Sequence, residues 1–156
     1  MRTIVIYDTQ YGNTEEVAKA VAGALGNGVK IQKVKDANPA DLSDYDLLVI
    51  GSPTQGGRQT VTMKAFLDSI PEGALKGKFA AVFDTRLKTK LVKLFGYASG
   101  RIADMIREKG GEIHLEEPFY VKATKGPLLD GELERAKAWG KTVAEAISKA
   151  GELDKP

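Results

Sequence analysis

Two apolar runs set the frame of the chain. Residues 3–8 (TIVIYD) and residues 47–52 (LLVIGS) are continuous rather than alternating, and each ends in small polar residues. Such runs predict short strands buried on both faces. Residues 78–83 (KFAAVF) and 113–121 predict a fourth and a fifth strand, and residues 29–34, more polar, a second strand at a sheet edge. Between them the apolar period lengthens to that of helices. In residues 14–25 it places Val17, Val21, Ala24 and Leu25 on one stripe, with Asn13 or Thr14 as cap and Glu15 and Glu16 in the first turn. Further helices are predicted over 61–69, over 100–109 with Gly110-Gly111 as a left-handed stop, and over 133–149 with Asp130 as cap.

Strands alternating with helices predict an α/β fold, a mainly parallel doubly wound sheet of five strands with helices on both faces. No linker or repeat divides the chain, so residues 1–150 read as a single domain and 151–156 as a frayed C-terminal tail. Ligands of such sheets bind beyond the carboxyl ends of the strands. The informative segments are therefore those following Asp8, Gly51 and Phe83.

Composition narrows the chemistry. The absence of cysteine excludes disulfides, thiol catalysis and cysteine-held metal centres, and a single histidine, His114, excludes a histidine metal cluster. His114 reads as structural or exposed and Trp139 as a packing residue. The net charge of +2 is too small to argue for nucleic acid. No run approaches the roughly 20 apolar residues of a membrane span, so a cytoplasmic location is expected.

The stretch YDTQYGNTEEVA (7–18) carries more polar groups than a strand-to-helix turn requires. Thr9 to Thr14 combine hydroxyls, a glycine and several backbone N–H groups at a helix start. That pattern reads either as an Asn/Thr cap with a glycine turn or as an anion site made of neutral donors. Neither the dinucleotide fingerprint nor the Walker pattern is present. Thr9-Gln10-Tyr11-Gly12-Asn13-Thr14 resembles the phosphate loop of flavodoxins, Thr/Ser-x-x-Gly-x-Thr followed by a helix. GSPTQGG (51–57) resembles their second flavin loop, and KFAAVFDTR (78–86) stands where they carry the third.

The resemblance implies a flavodoxin-like sandwich with strand order 2-1-3-4-5 and FMN as cofactor. It implies cofactor contacts at Thr9, Gln10, Tyr11, Gly12, Asn13 and Thr14, at Pro53, Thr54, Gln55, Gly56 and Gly57, and at Asp84, Thr85 and Arg86. In flavodoxins a peptide of the second loop reorients to meet N5–H of the half-reduced flavin, and by resemblance that role falls to the Gly56-Gly57 region. Flavodoxins commonly sandwich the ring between aromatics of the second and third loops. Here residues 52–62 and 84–94 hold none. The nearest candidates are Phe95 and Tyr97, with Tyr11 also able to approach, although Tyr97 reads more simply as a core or surface aromatic.

Residues 84–104 carry Arg86, Lys88, Lys90, Lys93 and Arg101, with no acid between Asp84 and Asp104. This run reads either as a solvated face or as a basic collar, with Arg86 at the pyrimidine side of the ring and lysines steering an acidic redox partner. Leu87, Leu91, Val92, Leu94 and Phe95 interleave with these charges. A two-component receiver domain shares the architecture but needs an Asp at the end of the third strand, where Gly51-Ser52-Pro53-Thr54 stands. The expected function is that of an FMN-binding electron carrier. The alternatives are a flavodoxin-like oxidoreductase, of quinone-reductase or protoporphyrinogen-oxidase type, and a flavin-free interaction module.

Overall fold

A computed structural model describes residues 1–89 and 92–153. Five strands, β1 (Thr3–Tyr7), β2 (Lys30–Lys33), β3 (Leu47–Pro53), β4 (Phe79–Leu87) and β5 (Glu112–Val121), form one sheet in the order β2-β1-β3-β4-β5. Every pairing is parallel. The helices are α1 (Asn13–Leu25), α2 (Val61–Asp68), α3 (Val92–Phe95), α4 (Ala98–Glu108) and α5 (Glu132–Leu153).

The alternation of side chains along each strand splits the core in two. Ile4, Ile6, Leu48, Ile50, Ala80 and Val82 face α2 and α4, where Met63, Leu67, Ile102 and Ile106 meet them. Val5, Tyr7, Leu47, Val49, Ala81 and Phe83 face α1 and α5, against Val17, Val21, Trp139 and Val143. Trp139 is a packing residue, its ring edge-on to Phe83 and Phe119 at 6.0 and 5.9 Å. His114 packs edge-on against Phe79 at 4.8 Å. Gly110 adopts the left-handed φ expected at the end of α4.

Four details of the element ends differ from the sequence pattern. β4 runs to Leu87, because Asp84, Thr85 and Arg86 continue the ladder against Ser52 and Pro53 on one side and Pro118, Phe119 and Tyr120 on the other. Hydrophobicity alone could not extend a strand through these polar residues. The cap of α1 is neither Asn13 nor Thr14 but Gly12, at φ 95° and without a side-chain bond to the helix. Asp130 does not cap α5; its carboxylate is exposed and lies 3.6 Å from the Lys122 ammonium. α5 continues through Leu153, past the expected start of the tail, while residues 154–156 lie outside the described residues. Among the described residues no helix is long and apolar enough to cross a membrane.

Candidate functional site

A cavity of about 200 Å³ opens at the carboxyl ends of β1, β3, β4 and β5. Its floor begins at the β1–α1 loop. The Thr9 hydroxyl accepts the Gly12 N–H at 2.9 Å, which closes the loop on itself. Gly12 then takes the left-handed conformation that other residues rarely adopt, and α1 starts without a side-chain cap. The consequence is chemical. Among the described residues, the N–H groups of Gln10, Tyr11, Asn13 and Thr14 have no protein acceptor, whereas Glu16 N–H already bonds the Gly12 carbonyl. A capping side chain would have consumed one of these donors.

Two buried hydroxyls complete the floor. Thr14 on α1 and Thr85 on β4 are 1% and 4% exposed, and their Oγ1 atoms are 2.8 Å apart. One hydroxyl donates to the other, which leaves one hydroxyl hydrogen unspent.

The opposite wall comes from the β3–α2 segment. Pro53 and Thr54 line the cavity, and Gln55 to Arg58 form a tight hairpin closed by bonds of 2.7 and 3.1 Å between Gln55 and Arg58. Gly56 and Gly57 occupy its turn at φ 57° and 79°. Gly57 lines the cavity and packs so closely on the Phe95 carbonyl that a Cβ would collide with it. Gln55 and Gly56 do not line the cavity; Gln55 instead donates its side-chain amide to Gln10 at 2.5 Å, bridging the two loops at the surface.

The residues at the end of β4 divide by role. Thr85 and Arg86 line the cavity; Asp84, fully buried, does not. Its carboxylate accepts from Arg86 Nε at 2.8 Å and from Ser99 N–H at 3.0 Å, at the start of α4. Arg86 is only 10% exposed and stacks on the Tyr97 ring at 4.1 Å. The guanidinium therefore enters the cavity wall already paired, which removes most of the unbalanced positive charge its position in the sequence suggested. Lys88 lies over the Tyr120 ring at 5.5 Å. Lys90 and Leu91 lie outside the described residues, as do the side chains of Val92 and Lys93.

Of the aromatics, Tyr11 and Phe95 line the cavity and are exposed, whereas Tyr97 belongs to Arg86. Leu87, one of the apolar residues interleaved with the basic run, lines it as well. Thr89, Gly96, Val121 and Thr124 also line it and were not singled out in the sequence; Val121 and Thr124 belong to β5 and the loop after it, which reach the site only through sheet order. Asp8 was likewise passed over. It accepts Thr9 N–H at 2.8 Å and the Thr60 hydroxyl at 2.5 Å, while Thr60 caps α2 through Met63 N–H. One carboxylate thus joins the first loop to the second. Further from the cavity, burial pushes the Tyr7 hydroxyl up to about 12, helped by its hydrogen bond to Glu15, and that bond holds the Glu15 carboxyl below its usual range.

Comparison with known proteins gives a consistent picture. The flavodoxin family model matches residues 5–139. A flavodoxin of Maridesulfovibrio salexigens is 30% identical, over 94% of this chain and 99% of its own. A protein of Archaeoglobus fulgidus named NAD(P)H dehydrogenase (quinone) is 30% identical, over 95% of this chain and 98% of its own. The crystal structure of oxidised flavodoxin 1 from Bacillus cereus superposes with a TM-score of 0.77 at 21% identity, over 93% of this chain and 98% of that one, a likeness of fold.

Proposed function

The chain belongs to the flavodoxin family, and from that premise we propose that it binds FMN non-covalently and passes single electrons between redox partners. The observation that carries this reading is the cavity floor. Unspent N–H groups at the start of α1 converge there with the buried Thr14–Thr85 hydroxyl pair. Neutral donors in that arrangement suit a phosphate monoester. Tyr11, Leu87, Phe95 and Val121 add apolar lining of the kind a flat ring requires.

In this reading Gln10, Tyr11, Asn13 and Thr14 hold the phosphate, and Thr9 and Gly12 shape the loop that presents those donors. Pro53, Thr54 and Gly57 wall the ring on one side, with Gln55 and Gly56 completing the hairpin behind them. Arg86 offers a donor at the cavity wall, and Asp84 holds it in place. The flavin supplies the redox chemistry; the chain binds it, orients it and sets the charge around it. Acidic partners docking near Arg86, Lys88, Lys90 and Lys93, and a cytoplasmic setting, belong to the same proposal.

Titration of flavin-free protein with FMN and riboflavin tests the reading. Tight FMN and much weaker riboflavin binding is the expected result; no flavin binding at all refutes it. A second reading, quinone reduction by NAD(P)H, is favoured by one observation: the Archaeoglobus relative so named matches across nearly its whole length. Turnover of a quinone by the FMN-loaded protein with NAD(P)H would select it over the carrier.

A further inference from the structure

The first turn of α4 bonds three residues in or behind the cavity wall, through residues that do not themselves line the cavity. Ala98 N–H donates to Thr54 Oγ1 at 3.0 Å, Ser99 N–H to Asp84 at 3.0 Å, and Arg101 Nε to the Gly57 carbonyl at 3.1 Å. Thr54 and Asp84 are held by the sheet as well, Thr54 through its N–H to the Thr85 carbonyl at 2.9 Å and Asp84 within β4. The hairpin is different. Its own closing bonds link Gln55 to Arg58, and its only other polar tie to the domain besides Arg101, among the described residues, is the exposed Gln55–Gln10 amide contact. Two successive glycines with positive φ would otherwise leave that turn free to sample many orientations.

Arg101 is exposed and forms no ion pair among the described residues. Its guanidinium is instead spent on a backbone carbonyl, a charge-assisted bond stronger than a neutral one. Gly96 packs beside the same atoms, within 3.6 Å of both the Gly57 carbonyl and the Arg101 guanidinium for a notional Cβ. We propose that Arg101 is a positioning residue that fixes the Gly56-Gly57 hairpin as one wall of the flavin site, acting from outside the cavity. This inference rests on the flavin reading above. It separates Arg101 from the rest of the basic run: its charge organises the pocket rather than greeting a partner.

The test compares the parent protein with Arg101→Ala and Arg101→Lys. FMN and riboflavin affinities are measured by fluorescence titration, and hydrogen exchange of the Arg58 amide is followed in the flavin-free protein. The Arg101→Ala variant should weaken FMN and riboflavin by the same factor, about tenfold, because the phosphate donors on α1 are untouched. Its Arg58 amide, bonded to the Gln55 carbonyl in the hairpin, should lose protection. Arg101→Lys, which keeps a cationic donor, should recover part of both. Unchanged riboflavin affinity in Arg101→Ala overturns the proposal, whether FMN is unaffected or weakened alone, since the latter would assign Arg101 to the phosphate. Were the parent to bind no flavin, the flavin reading itself would fail. The exchange arm would then decide the hairpin's attachment: retained Arg58 protection in Arg101→Ala overturns it, and lost protection upholds it.

Discussion

The Thr14–Thr85 hydroxyl pair allows stability and cofactor binding to be separated in one set of variants. Both side chains are buried and their oxygens lie 2.8 Å apart. Replacing either threonine by valine preserves shape but leaves the remaining hydroxyl without its partner in the flavin-free protein. That should cost about 1–3 kcal/mol. Replacing both removes the two polar groups together, so the Thr14→Val/Thr85→Val protein should return close to parental stability.

Binding should follow the opposite order. The pair consumes one of its two hydroxyl hydrogens internally, so each single variant still has one to give. FMN affinity should therefore fall no more than about tenfold in the single variants. The double variant has none left. It should lose about 1.5–3 kcal/mol, the worth of one bond to a charged group, or roughly 10- to 150-fold in Kd. Riboflavin, which lacks the phosphate, should bind all four proteins alike. Urea unfolding of the flavin-free proteins gives the first half, and fluorescence titration the second. A double variant that binds FMN like the parent would remove the phosphate from this floor, and parallel losses of FMN and riboflavin would move the hydroxyls to the ring.

Other expectations follow from the same geometry. Arg86→Ala strands the fully buried Asp84 carboxylate and should cost about 3–5 kcal/mol in urea unfolding, much of it recovered by adding Asp84→Asn; a smaller loss would mean that Ser99 N–H alone suffices. Gly57→Ala combines a φ of 79° with a collision at the Phe95 carbonyl, so unfolding midpoint and flavin affinity should both drop, and an unaffected protein would refute the close packing. Because the folded Tyr7 hydroxyl is pushed up from 10.0 to about 12, the unfolded chain ionises first, and stability should decline as pH rises between those values. At the acid end, the lowered Glu15 carboxyl contributes stability that is present above its ordinary value of 4.5 and is lost as pH falls through the folded value. Tyr7→Phe should flatten the alkaline decline and shrink the acid one in urea midpoints measured across pH; unaltered profiles would show the pair is not responsible.

Much of the architecture was legible because it rests on periodicity. TIVIY and LLVIG are short, β-branched-rich runs that read as doubly buried strands, and a stripe such as Val17, Val21 and Ala24 reads as one face of a helix. The first loop was legible for a different reason, since its donors are adjacent in sequence and belong to a helix start. The extent of β4 was not. Asp84, Thr85 and Arg86 are polar, and they stay in the sheet because β5 runs alongside all three and β3 alongside Asp84 and Thr85. The partners that make the burial of Asp84 and Arg86 tolerable are Ser99, in the first turn of α4, and Tyr97, just before that helix.

The sequence by itself determined the five strands, their alternation with the longer helices and the polar make-up of the loop after the first strand, because these depend on residues within one or two turns of each other. Tertiary structure alone decided which donors stay free, since only the folded loop shows that Thr9 closes it and Gly12 leaves the helix uncapped. It also decided that Thr14 meets Thr85 and Asp8 meets Thr60, pairs 71 and 52 positions apart. Whether a basic residue is a free charge, a partner of a buried acid or a clamp on a glycine carbonyl depends on what lies within about 3 Å of it. Arg86 and Arg101 look alike in the chain, and only their neighbours in space make the first an ion-paired part of the cavity wall and the second the hairpin's anchor.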